Sequence, residues 1–215
     1  MAELTFFYGT MNCGKSTLAL QIHHNAVAGG KHCRLFTKLD RQGGQISSRI
    51  GLAQPATLVT DELDLREHVG ELVAGGEPVD ELICDEAQFY SPAQVGQLAR
   101  IVDELDVEVH AFGLLTDFTS RLFPGSQRLL ELADRRQELQ VEARCWCGDR
   151  GTFNARTVGG VIQRQGQQVV VGDVSDDVVA YEVLCRPHFR AGITSAVADQ
   201  QAAPGRPAPV AIPTA

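Results

Sequence analysis

Short apolar runs alternate with helical patterns through the first half of the chain, the sequence form of a parallel sheet with crossover helices. Residues 3–8 read as a strand, a Gly-bearing turn follows, and residues 15–28 read as a helix that Gly29-Gly30 stops. Residues 32–37 predict a second strand and 40–48, polar and Gly-bearing, a surface loop. A short strand over 57–60 precedes a helix over 63–73 that Gly75-Gly76 closes. Residues 81–85 (ELICD) form an apolar strand that runs into adjacent acids. The next helix, 92–104, has Ser91 as N-cap and Pro92 at its first position. A strand over 107–112 and a helix over 126–133 complete this part.

From about residue 140 the texture changes. A strand enters CWCG, then come an Arg/Asn/Thr segment, QQVVVGD and YEVLCRPH, which together read as a β-rich ribbon. From about Asp199 the chain holds four of its nine prolines, Pro204, Pro207, Pro209 and Pro213, among Ala and Gly. The expected organisation is a nucleotide-binding α/β domain over 1–139, a ribbon domain over 140–192 and a disordered tail over 193–215. No internal repeat is present.

Composition narrows the partners. At 215 residues, with 44% hydrophobic and 21% charged positions, the chain can bury a core and carry one appended module. Its 19 Lys and Arg against 27 Asp and Glu leave a net charge of −8, which argues against nucleic acid or an anionic membrane as the main partner. No apolar run reaches the roughly 20 residues of a membrane span, and the N-terminus is unlike a secretory leader, so a cytoplasmic protein is expected. Three of the six cysteines, Cys145, Cys147 and Cys185, gather in the C-terminal ribbon; in a reducing compartment that reads as metal binding before disulfide.

The first chemical motif is Gly9-Thr10-Met11-Asn12-Cys13-Gly14-Lys15-Ser16, followed by Thr17, which fits GxxxxGK[ST] between a strand and a helix. That context lets backbone N–H groups wrap phosphate oxygens at a helix N-terminus, with Lys15 on the terminal phosphates and Ser16 at Mg²⁺. A nucleoside triphosphate is the ligand this implies, on a P-loop NTPase-type (RecA-like) α/β fold with helices on both faces of a parallel sheet. Asp85, at the carboxyl end of its strand, is placed to hold Mg²⁺ through water. Glu86 has two jobs open to it: general base toward an attacking hydroxyl, or orienter of a hydrolytic water. DEAQ is also similar to the Asp-Glu-Ala signature of helicases, but those need two large domains and a cationic groove, and this chain is too short and too acidic.

The second motif pairs Cys145-x-Cys147 with Cys185-x-x-His188 across 37 residues. Three thiolates and an imidazole fill a four-coordinate Zn²⁺ site with no open position, so this zinc would be structural. The CxC spacing is tighter than the usual CxxC. Trp146 between the cysteines reads as a packing residue.

Together these residues resemble the zinc-containing, cytosolic-type (type II) thymidine kinases. The resemblance runs from about Leu4 to His188 on GTMNCGKST, ISSRIG at 46–51, DEAQF at 85–89, GLLTDF and LFPGS within 113–126, and the paired zinc ligands. It implies transfer of the ATP γ-phosphoryl to the 5′-hydroxyl of thymidine, with deoxyuridine as a second substrate, in pyrimidine salvage. Glu86 would be the catalytic base, and Lys15, Ser16 and Asp85 would manage phosphates and Mg²⁺. Asp40 and Arg41 would be the acidic and basic pair near the phosphates, adjacent here where the family spaces them by one. Met11, Gln88, Phe89, Leu114, Phe118, Phe123, Asn154 and Tyr181 would surround the nucleoside, the last two from a "lasso" over 154–181. Asn154 stands where Thr is common. Aligned on Cys147, the family's CxxC would put its first ligand at Arg144, so Cys145 reaches the metal from a shifted position. A homotetramer and feedback inhibition by dTTP are implied by the resemblance alone. The residues themselves leave two alternatives from other classes: a P-loop ATPase switch whose zinc ribbon binds a protein or nucleic acid, and a purely structural zinc module with a vestigial nucleotide site.

Overall fold

The computed structural model describes residues 1–38, 44–139, 141–168 and 179–201. Strand β1 (Leu4–Gly9) leads through the phosphate-loop motif into helix α1 (Lys15–Ala28), and β2 (Cys33–Thr37) follows. The hairpin β3 (Gln45–Ser47) and β4 (Ala53–Pro55) precedes β5 (Thr57–Leu58), helix α2 (Leu65–Ala74) and β6 (Glu81–Asp85). Helix α3 (Pro92–Leu105), β7 (Glu108–Leu114), α4 (Pro124–Leu132) and β8 (Arg135–Glu138) complete the larger unit. Among the described residues its sheet has the order β5-β2-β6-β7-β1-β8, and every pairing in it is parallel.

Alternation along the strands builds a core on each face. Leu4 and Phe6 of β1 join Leu82, Cys84, Val109 and Ala111 beneath Leu98 and Ile101 of α3. Phe7, one residue on, points to the opposite face with Ile83 and Phe112 beneath Ala19 and Leu20 of α1. Strand β6 is therefore buried along its whole length, as a central parallel strand must be. Helix α3 starts as its sequence predicts: Gln94 N–H donates to Ser91 Oγ, and the Gln94 side chain accepts from Ser91 N–H, each at 3.1 Å.

Several elements differ from what the sequence pattern predicts. Residues 45–47, which read as part of a loop, form β3, because the hairpin tucks Ile46 against the α1 face of the sheet. Strand β7 runs on to Leu114, and β8 has no counterpart among the predicted elements. Its residues RRQE are exposed throughout at the sheet edge, so no apolar pattern marks them.

The C-terminal unit is an antiparallel sheet of β9 (Phe153–Val158), β10 (Val161–Ile162) and β11 (Val179–Leu184), ordered β10-β9-β11, followed by α5 (Arg186–Ala191) and α6 (Ser195–Gln201). No named strand enters CWCG. The chain there makes a tight turn, with Cys145 N–H on Asp149 O at 2.9 Å and Gly148 N–H on Cys145 O at 2.8 Å. Most of QQVVVGD lies outside the described residues. The stretch from 193, expected as a tail, begins with α6, whose Ser195 N–H donates to the Glu182 carboxylate at 3.1 Å. Among the described residues no helix is long and apolar enough to cross a membrane.

Candidate functional site

The carboxyl ends of β1, β2, β6 and β7 open on one side, where a parallel sheet binds its ligands. The loop after β1 takes left-handed backbone at Asn12 (φ 66°) and Gly14 (φ 80°), which turns its amides inward before α1 begins. A side chain at position 9 would set its Cβ 2.5 Å from Cys13 Sγ, so anything larger than glycine there would have to displace the Cys13 side chain. Lys15 is buried and folds over the loop, its Nζ donating to Thr10 O at 2.8 Å.

The acids of β6 meet this loop. Ser16 Oγ donates to Asp85 Oδ2 at 2.8 Å, which links the start of α1 to the end of β6. Burial, and after it the neighbouring Glu86 charge, pushes the Asp85 carboxyl up to about 6. Glu86 adopts φ 54°, an uncommon conformation for a non-glycine residue, at the entry to a single 3-10 turn over Ala87–Phe89. The Gln88 amide donates to the Glu86 carboxylate, while its oxygen accepts from Leu114 N–H at 3.0 Å. Since a backbone N–H can only donate, the Gln88 nitrogen necessarily faces Glu86.

One cavity of about 1300 Å³ contains Lys15, Ser16, Asp85 and Glu86 together with Gln88 and Phe89. Pockets for a single small molecule span about 300–1,000 Å³, so this space exceeds that of one ordinary ligand site. Met11, Leu114, Phe118, Phe123, Asn154 and Tyr181 line the same cavity, as do Asn12, Cys13, Gly14 and Thr17. Phe89 and Phe123 meet edge to face, 5.4 Å between centroids. The Asn154 amide is already engaged: Oδ1 accepts from Met11 N–H at 2.9 Å and Nδ2 donates to Thr116 O at 3.3 Å. That side chain therefore braces the phosphate loop against the loop after β7. Gly9 and Thr10 lie on the far side, facing a separate cavity of about 220 Å³. Asp40 and Arg41 lie outside the described residues.

The cavity also has walls that the sequence motifs do not single out residue by residue. Ile46 to Ile50 line it from the β3–β4 hairpin, and Asp117 and Gln168 from the opposite side. Gln168 Nε2 donates to Asp117 Oδ2 at 3.0 Å, a contact 51 residues apart in sequence that no local pattern announces.

In the smaller unit, one donor atom from each of Cys145, Cys147, Cys185 and His188 lies within 4.8 Å of the others. His188 Nδ1 is 3.5 Å from Cys145 Sγ and 3.2 Å from Cys185 Sγ, and Cys147 and Cys185 sulfurs are 4.0 Å apart. Donors about 2.0–2.3 Å from a shared zinc stand nearly this far from one another, so the set fits Zn²⁺ despite the short CxC spacing. Trp146 stacks on His188 at 4.2 Å between centroids, and its Nε1 donates to Ile193 O at 3.1 Å. The local core is small, with Ala155, Ile162, Leu184 and Phe189 packed around Cys145 and Cys185.

Comparison with known proteins agrees with this geometry. The family model described as thymidine kinase matches residues 2–189. A thymidine kinase of Streptomyces coelicolor is 61% identical over 92% of this chain and 93% of its own length, and one of Streptomyces avermitilis is 57% identical over the same shares. A thymidine kinase of Cutibacterium acnes is 51% identical over 92% of each chain. A solved structure of Pif1 helicases at forked DNA is 17% identical with a TM-score of 0.39, covering 64% of this chain and 39% of that one, and carries no functional weight. With a phosphate loop, paired acids and a thiolate-imidazole cluster inside one matched span, the chain belongs to the thymidine kinase family.

Proposed function

We propose that the chain transfers the γ-phosphoryl group of ATP to the 5′-hydroxyl of thymidine, with Glu86 as the general base. The observation that carries this reading is that the Glu86 carboxylate and Lys15 line one cavity of about 1300 Å³. Glu86 takes the proton of the 5′-hydroxyl as the 5′-O–P bond forms, and the bond from the γ-phosphorus to the β-phosphate oxygen breaks to release ADP. The loop from Gly9 to Thr17 binds and orients the phosphates, with Met11 to Thr17 facing them and Gly9 and Thr10 shaping the loop from behind, and Lys15 offsets charge that develops on the phosphates. Ser16 and Asp85 would hold Mg²⁺, which supplies electrostatic stabilisation to the transferred group. Asp40 and Arg41 are proposed to assist near the phosphates. Met11, Gln88, Phe89, Leu114, Phe118, Phe123, Asn154 and Tyr181 form the nucleoside end, with Gln88 holding Glu86 in place and Asn154 holding the loop at Met11.

The division into a nucleotide-binding domain over 1–139 and a ribbon domain over 140–192 belongs to this reading. Cys145, Cys147, Cys185 and His188 would hold a structural zinc, which substitutes for a core too small to fold alone. A cytoplasmic homotetramer under dTTP control completes it, on family membership, and sedimentation with and without dTTP tests the last two. The reaction is tested by incubation with labelled ATP and a panel of pyrimidine and purine nucleosides. Label in thymidine monophosphate, and more weakly in deoxyuridine monophosphate, is expected. Steady ATP hydrolysis without nucleoside, and no labelled monophosphate, would mean an ATPase switch instead.

A further inference from the structure

Arg156 of β9 is a buried cation, 5% exposed, and no carboxylate among the described residues is paired with it. Its guanidinium carbon lies 3.6 Å from the centroid of the Phe118 ring. Its Nη1 donates to Gln167 O at 2.8 Å and its Nη2 to Gln165 O at 3.5 Å. Between those two carbonyls sits Gly166 at φ +131°, where a Cβ would come within 2.5 Å of Nη2. The 165–167 segment thus wraps the guanidinium edge while Phe118 covers its face. Arg156 does not line the large cavity, but Phe118 does, and so does Gln168, which is tied to Asp117 next to Phe118.

We propose that Arg156 is a positioning residue for nucleoside binding, clamping the back of Phe118 and fastening the 163–168 segment to the loop after β7. The inference rests on the kinase reading, in which Phe118 faces thymidine. A planar guanidinium suits this role because it lies flat on an aromatic ring while its edge donates to two carbonyls, which an ammonium cannot do together. The clamp touches neither the phosphate loop nor Glu86. Its loss therefore weakens ground-state and transition-state binding of the nucleoside alike and leaves ATP untouched, so KM for thymidine moves while kcat does not.

The experiment compares the full-length protein with Arg156→Met, Arg156→Lys, Gly166→Ala and the Arg156→Met/Gly166→Ala double variant. Each single variant should raise KM for thymidine about tenfold, with kcat within about threefold and KM for ATP unchanged. The double variant should be no worse than Arg156→Met, because both changes remove one clamp. Backbone amide exchange over 114–123 and 163–168 should quicken in Arg156→Met while 81–85 keeps its protection. A thymidine KM within twofold of wild type in both Arg156→Met and Gly166→Ala overturns the proposal. So does a parallel rise in both KM values, which would mark general loosening. If Arg156→Met fails to fold, Gly166→Ala decides on the same criteria, since there the arginine is only displaced. The wild-type assay separates the two levels: no thymidine phosphorylation there refutes the kinase reading, while amide exchange still reads the clamp.

Discussion

A carboxylate that accepts a proton has to present an oxygen at a fixed place, and on the proposed mechanism Glu86 is that carboxylate, held by backbone and by a neighbour. Its left-handed φ of 54° aims the side chain off the end of β6, and the Gln88 amide, itself oriented by Leu114 N–H, fastens the carboxylate. On the proposed mechanism Glu86→Gln keeps this shape and removes the base. Turnover should fall about 10²-fold or more with ATP affinity unchanged, measured by steady-state kinetics beside direct nucleotide titration; near-normal turnover would take Glu86 out of that role. The positions of Lys15, Ser16, Asp85 and Glu86 were legible because their spacing follows one local design, strand then loop then helix. What Gln88 and Asn154 touch was not legible. Their amides bond to Leu114, Met11 and Thr116, and sequence does not say which distant backbone group a carboxamide will meet.

At the scale of elements, helix α4 lies against the turn that carries Glu86. Gly125 makes this possible, for a Cβ there would come within 2.6–2.8 Å of the carbonyl oxygens of Tyr90, Ala87 and Gln88. These are backbone atoms with little room to yield. Gly125→Ala should cost about 1–3 kcal/mol in chemical denaturation and lower activity as well, since it displaces the Glu86 turn. The far end of the sheet makes a separate prediction. His110 on β7 is partly buried, and that burial lowers its pKa even though Glu81 of β6, with Nε2 and Oε2 3.9 Å apart, and Glu108 both act to raise it; Lys31 acts with burial. The folded protein therefore prefers the neutral ring, while the unfolded chain takes up the proton near pH 6.5. This contribution is complete above about pH 6.5 and is lost as pH falls through the folded value. Denaturation at pH 7.5 and 5.5 should show a smaller loss for His110→Gln than for wild type; equal losses would exclude His110. Elements with an apolar face were readable, as in α3. The edge strand β8 was not, since its parallel pairing with β1 is backbone chemistry that RRQE does not encode as a pattern.

For the whole molecule, the two units rely on different sources of stability. The larger has cores on both faces of its sheet, whereas the smaller has a handful of apolar residues around its thiols. On the zinc reading, metal analysis should find about one Zn²⁺ per chain. Chelation or Cys185→Ser should raise amide exchange in residues 141–168 and 179–201 while β1, β6 and β7 keep their protection. A metal-free protein with unchanged exchange would refute it. The net charge of −8 poses no conflict with phosphate binding, because the phosphates would be met by a local cradle of amides and Lys15. By itself the sequence determined the alternation of strand and helix, the phosphate loop, the paired acids at the end of β6 and the metal-ligating types, all of them set by spacing within short segments. The tertiary structure alone decided that Asn154 braces the phosphate loop and that Arg156 clasps Phe118. Those contacts join segments 38 to 143 residues apart, and their partners are selected by packing of the whole chain, which no local periodicity records.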